Sequence, residues 1–187
     1  MKNIFLALLL GDSTLAALAQ EASVEKSIFG VQTGFLGIWA HNEAKLSNSI
    51  VLRSELGLDA GIFSKNLEDG SFFLFIPAIT LEPRWYYNLN KRVRKSRRID
   101  DNSGNFIAIK TTYHPDLVIG SVQDNFNFIS DFSIIPTWGI RRNIGKHFNY
   151  ETGIGIGYIH YFNEDNVINT FDDGVTANLH LRIGYRF

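Results

Sequence analysis

Five histidines, His41, His114, His147, His160 and His180, are the first residues to weigh for chemistry. None forms a recognisable His–Ser pair in the sequence, and neither His-x-x-x-His nor Glu-x-x-His spacing occurs, so no metal site and no cofactor are expected. A catalytic triad is set by geometry rather than chain order. On that ground His114, two residues before Asp116, is the one catalytic candidate, and a weak one. With no cysteine, thiol nucleophiles, thiolate metal sites and disulfides are excluded. Gly153, Gly155 and Gly157 lack the Gly-x-Gly-x-x-Gly spacing and following helix of a nucleotide loop. Inward glycines relieving curvature explain them better. Glu164, Asp165, Asp172 and Asp173 read as a solvated acidic loop. The run Lys91-Arg92-Val93-Arg94-Lys95-Ser96-Arg97-Arg98 invites a nucleic-acid reading. A net charge of −1 lends that no global support, and a solvated or headgroup-facing turn is the simpler expectation.

What positions these residues begins with an address. Met1-Lys2-Asn3, an apolar run from Ile4 to Leu10 and small residues at Ala17 and Ala19 match a secretory signal peptide over 1–19, cleaved after Ala19 or Gln20. The apolar run is too short for a spanning helix, which needs about 20 residues. Residues 20–187 are then one domain. With 15 Phe, 7 Tyr, 3 Trp and 16 Gly against 4 Pro and one Met, they are rich in strand formers.

Period-two alternation dominates that domain. Val175, Ala177, Leu179, Leu181, Ile183, Tyr185 and Phe187 share one face, while Asn178, His180, Arg182 and Arg186 share the other. Segments 50–63, 72–88, 105–114, 126–141 and 148–162 repeat the pattern. The stretch 28–41 is least clean: Phe29, Val31, Phe35 and Trp39 fall on one face, and a bulge near Gly34–Gly37 would reconcile the rest. Tyr150 and Tyr158 stand about 26 Å apart along a strand, or roughly 20 Å in height when tilted by about 40°. That is close to the apolar band of a membrane barrel between aromatic girdles. In a soluble sandwich the apolar faces would turn inward. Strands of 13 to 17 residues and polar faces rich in glycine argue instead for an all-β, closed, antiparallel, up-and-down transmembrane barrel with a cramped interior.

The polar faces carry Arg53, Glu55, Asp59, Glu82, Arg84, Lys110, Asp131, Arg141, Glu151, His180, Arg182 and Arg186. Near-equal opposite charges in so small a lumen are expected to interlock as a plug, because an unpaired buried charge costs several kcal/mol.

The signal peptide, the long amphipathic strands and the terminal Leu179-x-Leu181-x-Ile183-x-Tyr185-x-Phe187 series resemble small outer-membrane β-barrels of Gram-negative bacteria, of the OmpA-domain, OmpX and opacity size class. The stretches 81–88 and 140–147 are similar to those of uncharacterised porin-like barrel proteins. The resemblance implies residence in the outer membrane, contact with its lipids and lipopolysaccharide, and an assembly signal at Tyr185 and Phe187 read by the barrel-assembly machinery. It also implies a monomer without nucleic-acid partners. Eight strands are expected, yet only seven segments are visible: 28–41, 49–63, 71–88, 104–114, 125–142, 148–162 and 174–187. Residues 115–122 or 20–27 are candidates for the eighth. With both termini in the periplasm, loops 64–70, 115–124 and 163–173 face outward, and the connection 89–103 is anomalously long for its side. A structural or surface-interaction role is expected and an enzyme is not. A narrow channel and a lipid A-modifying enzyme acting through His114 are the alternatives.

Overall fold

The computed structural model describes residues 22–64, 71–119, 128–162 and 172–187. Eight strands run β1 (Ser27–Gly34), β2 (Gly37–Lys45), β3 (Ile50–Ser64), β4 (Ser71–Tyr86), β5 (Asn105–His114), β6 (Asp131–Ile144), β7 (Phe148–Tyr161) and β8 (Gly174–Arg186). Each pairs antiparallel with the next, and β1 pairs with β8, closing the barrel. Among the described residues no helix is long and apolar enough to cross a membrane. The expected leader, 1–19, lies outside the described residues.

The eighth strand lies within the stretch read as one. Residues 28–41 are not a bulged strand but two strands joined by the two-residue turn Phe35-Leu36. Gly37, at φ +145, leads out of that turn. Reversal there also corrects a face: Trp39 points into the lumen, 5% exposed, while Phe29 is 61% exposed. Residues 22–26 form no strand, and of 115–119 only Ile119 bridges to β4, at Phe75. Residues 120–122 lie outside the described residues. The sixth strand is described from Asp131: of the expected 125–130, residues 128–130 form no strand and 125–127 lie outside the described residues. β1 and β2, of 8 and 9 residues, are shorter than the expected 13 to 17, whereas β5 keeps the shorter 105–114 span read for it.

The two faces have opposite chemistry. Leu179, Leu181 and Ile156 look outward at 72%, 68% and 68% exposure, whereas Arg53, Arg84 and Arg141 are at most 1% exposed. Aromatics gather at both ends of the apolar face. Trp85 packs edge-on against Tyr87, whose hydroxyl accepts from Trp138 Nε1 at 2.9 Å, and Tyr185 stacks on His147. At the opposite end Tyr113 meets Phe162.

Inward glycines sit opposite large rings. Gly30 faces His41, Gly57 faces Trp39, Gly139 faces Phe106 and Gly153 faces His180 across their ladders. A Cβ at any of the four would collide with the opposing ring. Small-opposite-large pairing fills the narrow interior at these four positions, whereas a Cβ at Gly155 or Gly157 would meet the β6 backbone carbonyls of Pro136 and Ile134.

The long connection closes the end that carries both termini. After Asn88 a short helix, α1 (Leu89–Arg94), leads to a 3-10 turn at Asp100–Asn102. Asp101 and Asn102 are both left-handed, at φ +53 and +52, which Asp and Asn tolerate better than most residues. Leu89 joins Ala22, Val24, Val51, Tyr86 and Phe106 in an apolar cluster just inside the rim.

Candidate functional site

Above that cluster lies an ionic layer built from six strands, β2, β3, β4, β6, β7 and β8. Glu43, on β2, is its centre and is fully buried. It accepts hydrogen bonds from Arg141 at 2.8 Å, Arg84 at 3.2 Å and Arg53 at 3.4 Å. The Tyr86 hydroxyl at 3.2 Å and Asn102 Nδ2 at 2.8 Å complete its surroundings. Glu151 takes both terminal nitrogens of Arg84, each at 2.8 Å, and meets Arg141 Nε at 3.3 Å. Glu55 bridges Arg53 at 2.6 Å and Arg182 at 2.8 Å, and Glu82 holds Arg84 at 2.9 Å. The four carboxylates and four guanidiniums balance. Stacking assists: Arg84 lies 4.2 Å above the Phe106 ring and Arg182 3.7 Å above that of Trp39.

Most of the sequence-expected lumen residues are therefore brought together, with three differences. Arg186 is not in the lumen; it sits at the terminus end, joined to Glu25 at 3.1 Å and to the Lys146 carbonyl. Asp59 and Asp131 belong to a separate cluster at the opposite end. Lys110 makes no hydrogen bond or ion pair among the described residues. Glu43 and His41 escaped sequence reading because β2 was not recognised as a strand of its own, and Gln32, inward on β1, was not among the expected lumen residues. In β2 the alternation of Trp39, His41 and Glu43 against Ile38, Ala40 and Asn42 was the available signal. Arg141 donates to His41 Nε2 at 3.2 Å, which places the ring proton on Nδ1.

The connection plugs the layer from below. Asn102 reaches Glu43, Asp101 accepts from Asn149 Nδ2 at 2.7 Å, and the Glu25 backbone N–H donates to Asn102. Burial pushes the Asp101 carboxyl above the usual range, while the Arg98 hydrogen bonds hold Asp100 below it. Within the basic run, Arg92 is buried and donates to the Arg98 carbonyl at 2.8 Å and to Ser103, tying the loop to itself. Lys91, Arg94, Lys95, Arg97 and Arg98 remain exposed.

At the far end His114 lies between two acids. Its Nδ1 is 2.8 Å from Asp131 and its Nε2 3.1 Å from Asp59, and Asp59 also accepts from Trp39 Nε1 at 2.6 Å. Both ring nitrogens face carboxylates, which an imidazolium satisfies with two N–H donors. No nitrogen is left to activate a hydroxyl in this arrangement. Asp116, the sequence neighbour of His114, is not its partner. His160, on the outer face, meets Asp173 at 2.6 Å. The Tyr158 hydroxyl and the Tyr161 N–H also donate to Asp173. These bonds hold the Asp173 carboxyl below its usual range. Of the acidic loop, Glu164 and Asp165 lie outside the described residues.

Between the two clusters, beside the β1–β2 turn, is a cavity of about 400 Å³. Its lining joins lumen side chains, among them Lys110, Asn178 and Arg182, to outward ones such as Leu179 and Leu181. No protein-family model, no curated protein and no solved structure matches this chain.

Proposed function

We propose that this chain spans the outer membrane of a Gram-negative bacterium as a monomeric, non-conducting barrel with a structural or surface-interaction role. The observation that carries the reading is the inverted polarity of the wall: leucines and isoleucines face outward while arginines and glutamates fill the interior. In water that arrangement would expose a continuous apolar belt and bury charge for no gain. In a bilayer the belt meets hydrocarbon and the closed ladder leaves few backbone groups unpaired. The aromatic ends fit the headgroup levels. Outer-membrane lipids and lipopolysaccharide are then its surroundings, and Tyr185 and Phe187 its contact with the barrel-assembly machinery.

The balanced Arg–Glu layer and the plug beneath it oppose the channel reading. The doubly engaged His114 gives the lipid-modifying reading no catalytic geometry. Three measurements test the proposal. The folded chain, unboiled, is expected to migrate faster on an SDS gel than the boiled one, and it should cofractionate with the outer membrane. In planar bilayers it should give no steady openings. Identical mobility would refute the membrane barrel, and conductance abolished by charge reversal at Glu82 or Arg84 would replace the sealed lumen with a channel.

A further inference from the structure

The barrel wall is not equally tall all round. The hairpin β1–β2 turns at Phe35-Leu36, and the β1–β8 ladder ends at Gly34 opposite Arg182. Likewise the β2–β3 ladder ends at Gly37 opposite Asp59. The eighth strand continues from Leu181 to Gly174 and β3 from Ala60 to Ser64. Past the hairpin neither has a β1 or β2 ladder partner among the described residues. The result is a notch in the wall. Val175 lies opposite Tyr158 in the far aromatic girdle, and Tyr185 belongs to the near one, so the notch cuts into the apolar band. From Leu181 to Val175 it spans about 20 Å of strand at roughly 3.3 Å per residue.

Two features mark the notch as more than a gap. The 400 Å³ cavity occupies it and connects lumen to outer face, a size at the lower end of small-molecule sites, about 300–1,000 Å³. Within it the Lys110 ammonium has no hydrogen bond or ion pair among the described residues, and Arg182 Nε is buried with no partner among them. The one acid in the lining, Asp59, is already held by His114 and Trp39. Lys110 and Arg182 Nε therefore face the cavity as donors still without an acceptor among the described residues. Its outer lip, Phe35, Leu36, Leu179 and Leu181, is apolar. Open strand edges at membrane depth are tolerated only where polar groups or water meet them.

We propose that this notch binds an anionic single-chain amphiphile from the side. Its carboxylate or phosphate head sits between Lys110 and Arg182, and its acyl chain leaves over Leu179 and Leu181 into the bilayer. This rests on the membrane-spanning reading above. It adds a ligand class, a headgroup site and an entry route that a purely structural barrel does not need.

Trp39 lies in the lining, whereas Trp85 and Trp138, the other two tryptophans, stand in the girdle at the terminus end. A Trp85→Phe/Trp138→Phe chain in phosphatidylcholine nanodiscs leaves Trp39 as a single reporter. Bromine-labelled stearate is expected to quench it saturably. Its methyl ester should bind at least tenfold more weakly. Dodecyl phosphate should displace it, and inorganic phosphate at the same concentration should not. Lys110→Met removes the unused donor at similar length, so the gel shift should persist while stearate affinity falls at least tenfold. Equal quenching by acid and ester, or full affinity in Lys110→Met, would overturn the headgroup assignment. Displacement by inorganic phosphate alone would overturn the amphiphile. A chain that shows the gel shift and whose Trp85, with tryptophan restored there, is quenched by brominated phospholipid, but whose Trp39 shows no saturable quenching, would sink this site and leave the barrel standing.

Discussion

Glu43→Gln is the sharpest probe of the lumen. It keeps the shape and most hydrogen-bonding capacity of the side chain while removing one charge from a layer of four carboxylates and four guanidiniums. Arg141 at 2.8 Å and Arg84 at 3.2 Å lose their common acceptor's charge, and an excess positive charge is left in a fully buried space. Opposite charges about 4 Å apart are worth about 4 kcal/mol at an effective dielectric of 20, and about 1 kcal/mol in bulk water. Breaking one side of a buried pair typically destabilises by about 3–5 kcal/mol. A dry, interlocked lumen therefore predicts a loss in that range, and a hydrated one a loss near 1 kcal/mol.

The assay is urea unfolding of the chain folded into lipid vesicles, read by the unboiled gel shift and tryptophan fluorescence together. Adding Arg141→Met to Glu43→Gln restores the charge balance and should recover a large part of the loss. The non-additivity measures the coupling. A single-variant loss of 1 kcal/mol or less, or a double variant whose effects merely add, would refute the sealed plug. The non-conducting reading would fall with it.

Three further outcomes follow from other contacts. Gly139→Val should destabilise by about 1–3 kcal/mol through collision with the Phe106 ring, and Phe106→Ala in the same chain should relieve part of that loss in the urea midpoint. Asp101 has its folded pKa raised by burial, so its contribution is fully present below the unfolded pKa and is lost as pH rises through the folded one. Asp101→Asn should accordingly raise thermal stability at pH 7, by a margin that shrinks toward about pH 4; a margin independent of pH would refute the burial account. Phe187 is 81% exposed and its backbone N–H, not its ring, bonds to the Phe29 carbonyl, so Phe187→Ala should lower the folded yield in cells with little change in stability in vitro.

Much of this molecule was legible because period two is a strong signal wherever one face is apolar and the other lines a filled interior. The alternation in 148–162 placed Glu151 inward and Ile154 outward without further help. The charge partners were not legible, because they lie across the lumen: Arg84 and Glu151 are 67 residues apart in the chain and share two hydrogen bonds. Nor was the role of 89–103, whose buried part depends on two consecutive left-handed residues, Asp101 and Asn102, rather than on any pattern of hydrophobicity.

The β1–β2 hairpin was missed for a different reason, and one feature links that miss to the notch. Tight hairpins usually announce themselves with Asn-Gly or Asp-Gly, but here the turn is Phe35-Leu36. An apolar turn is a poor fit to water and a good fit to a bilayer. Its residues are 88% and 50% exposed at a height where the neighbouring strands still carry leucines outward. Two strands of 8 and 9 residues beside strands of 13 and 15 thus end inside the apolar band instead of above it. The lack of turn chemistry that hid the eighth strand, and with it Glu43, is the same property that lets the wall stop short. Replacing Phe35-Leu36 with Asn-Gly tests that link: the hairpin should still form, but its polar tip would sit at hydrocarbon depth, and folding into vesicles should weaken more in thick bilayers than in thin ones. Equal loss at all thicknesses would place the turn at the interface and remove the lateral entry.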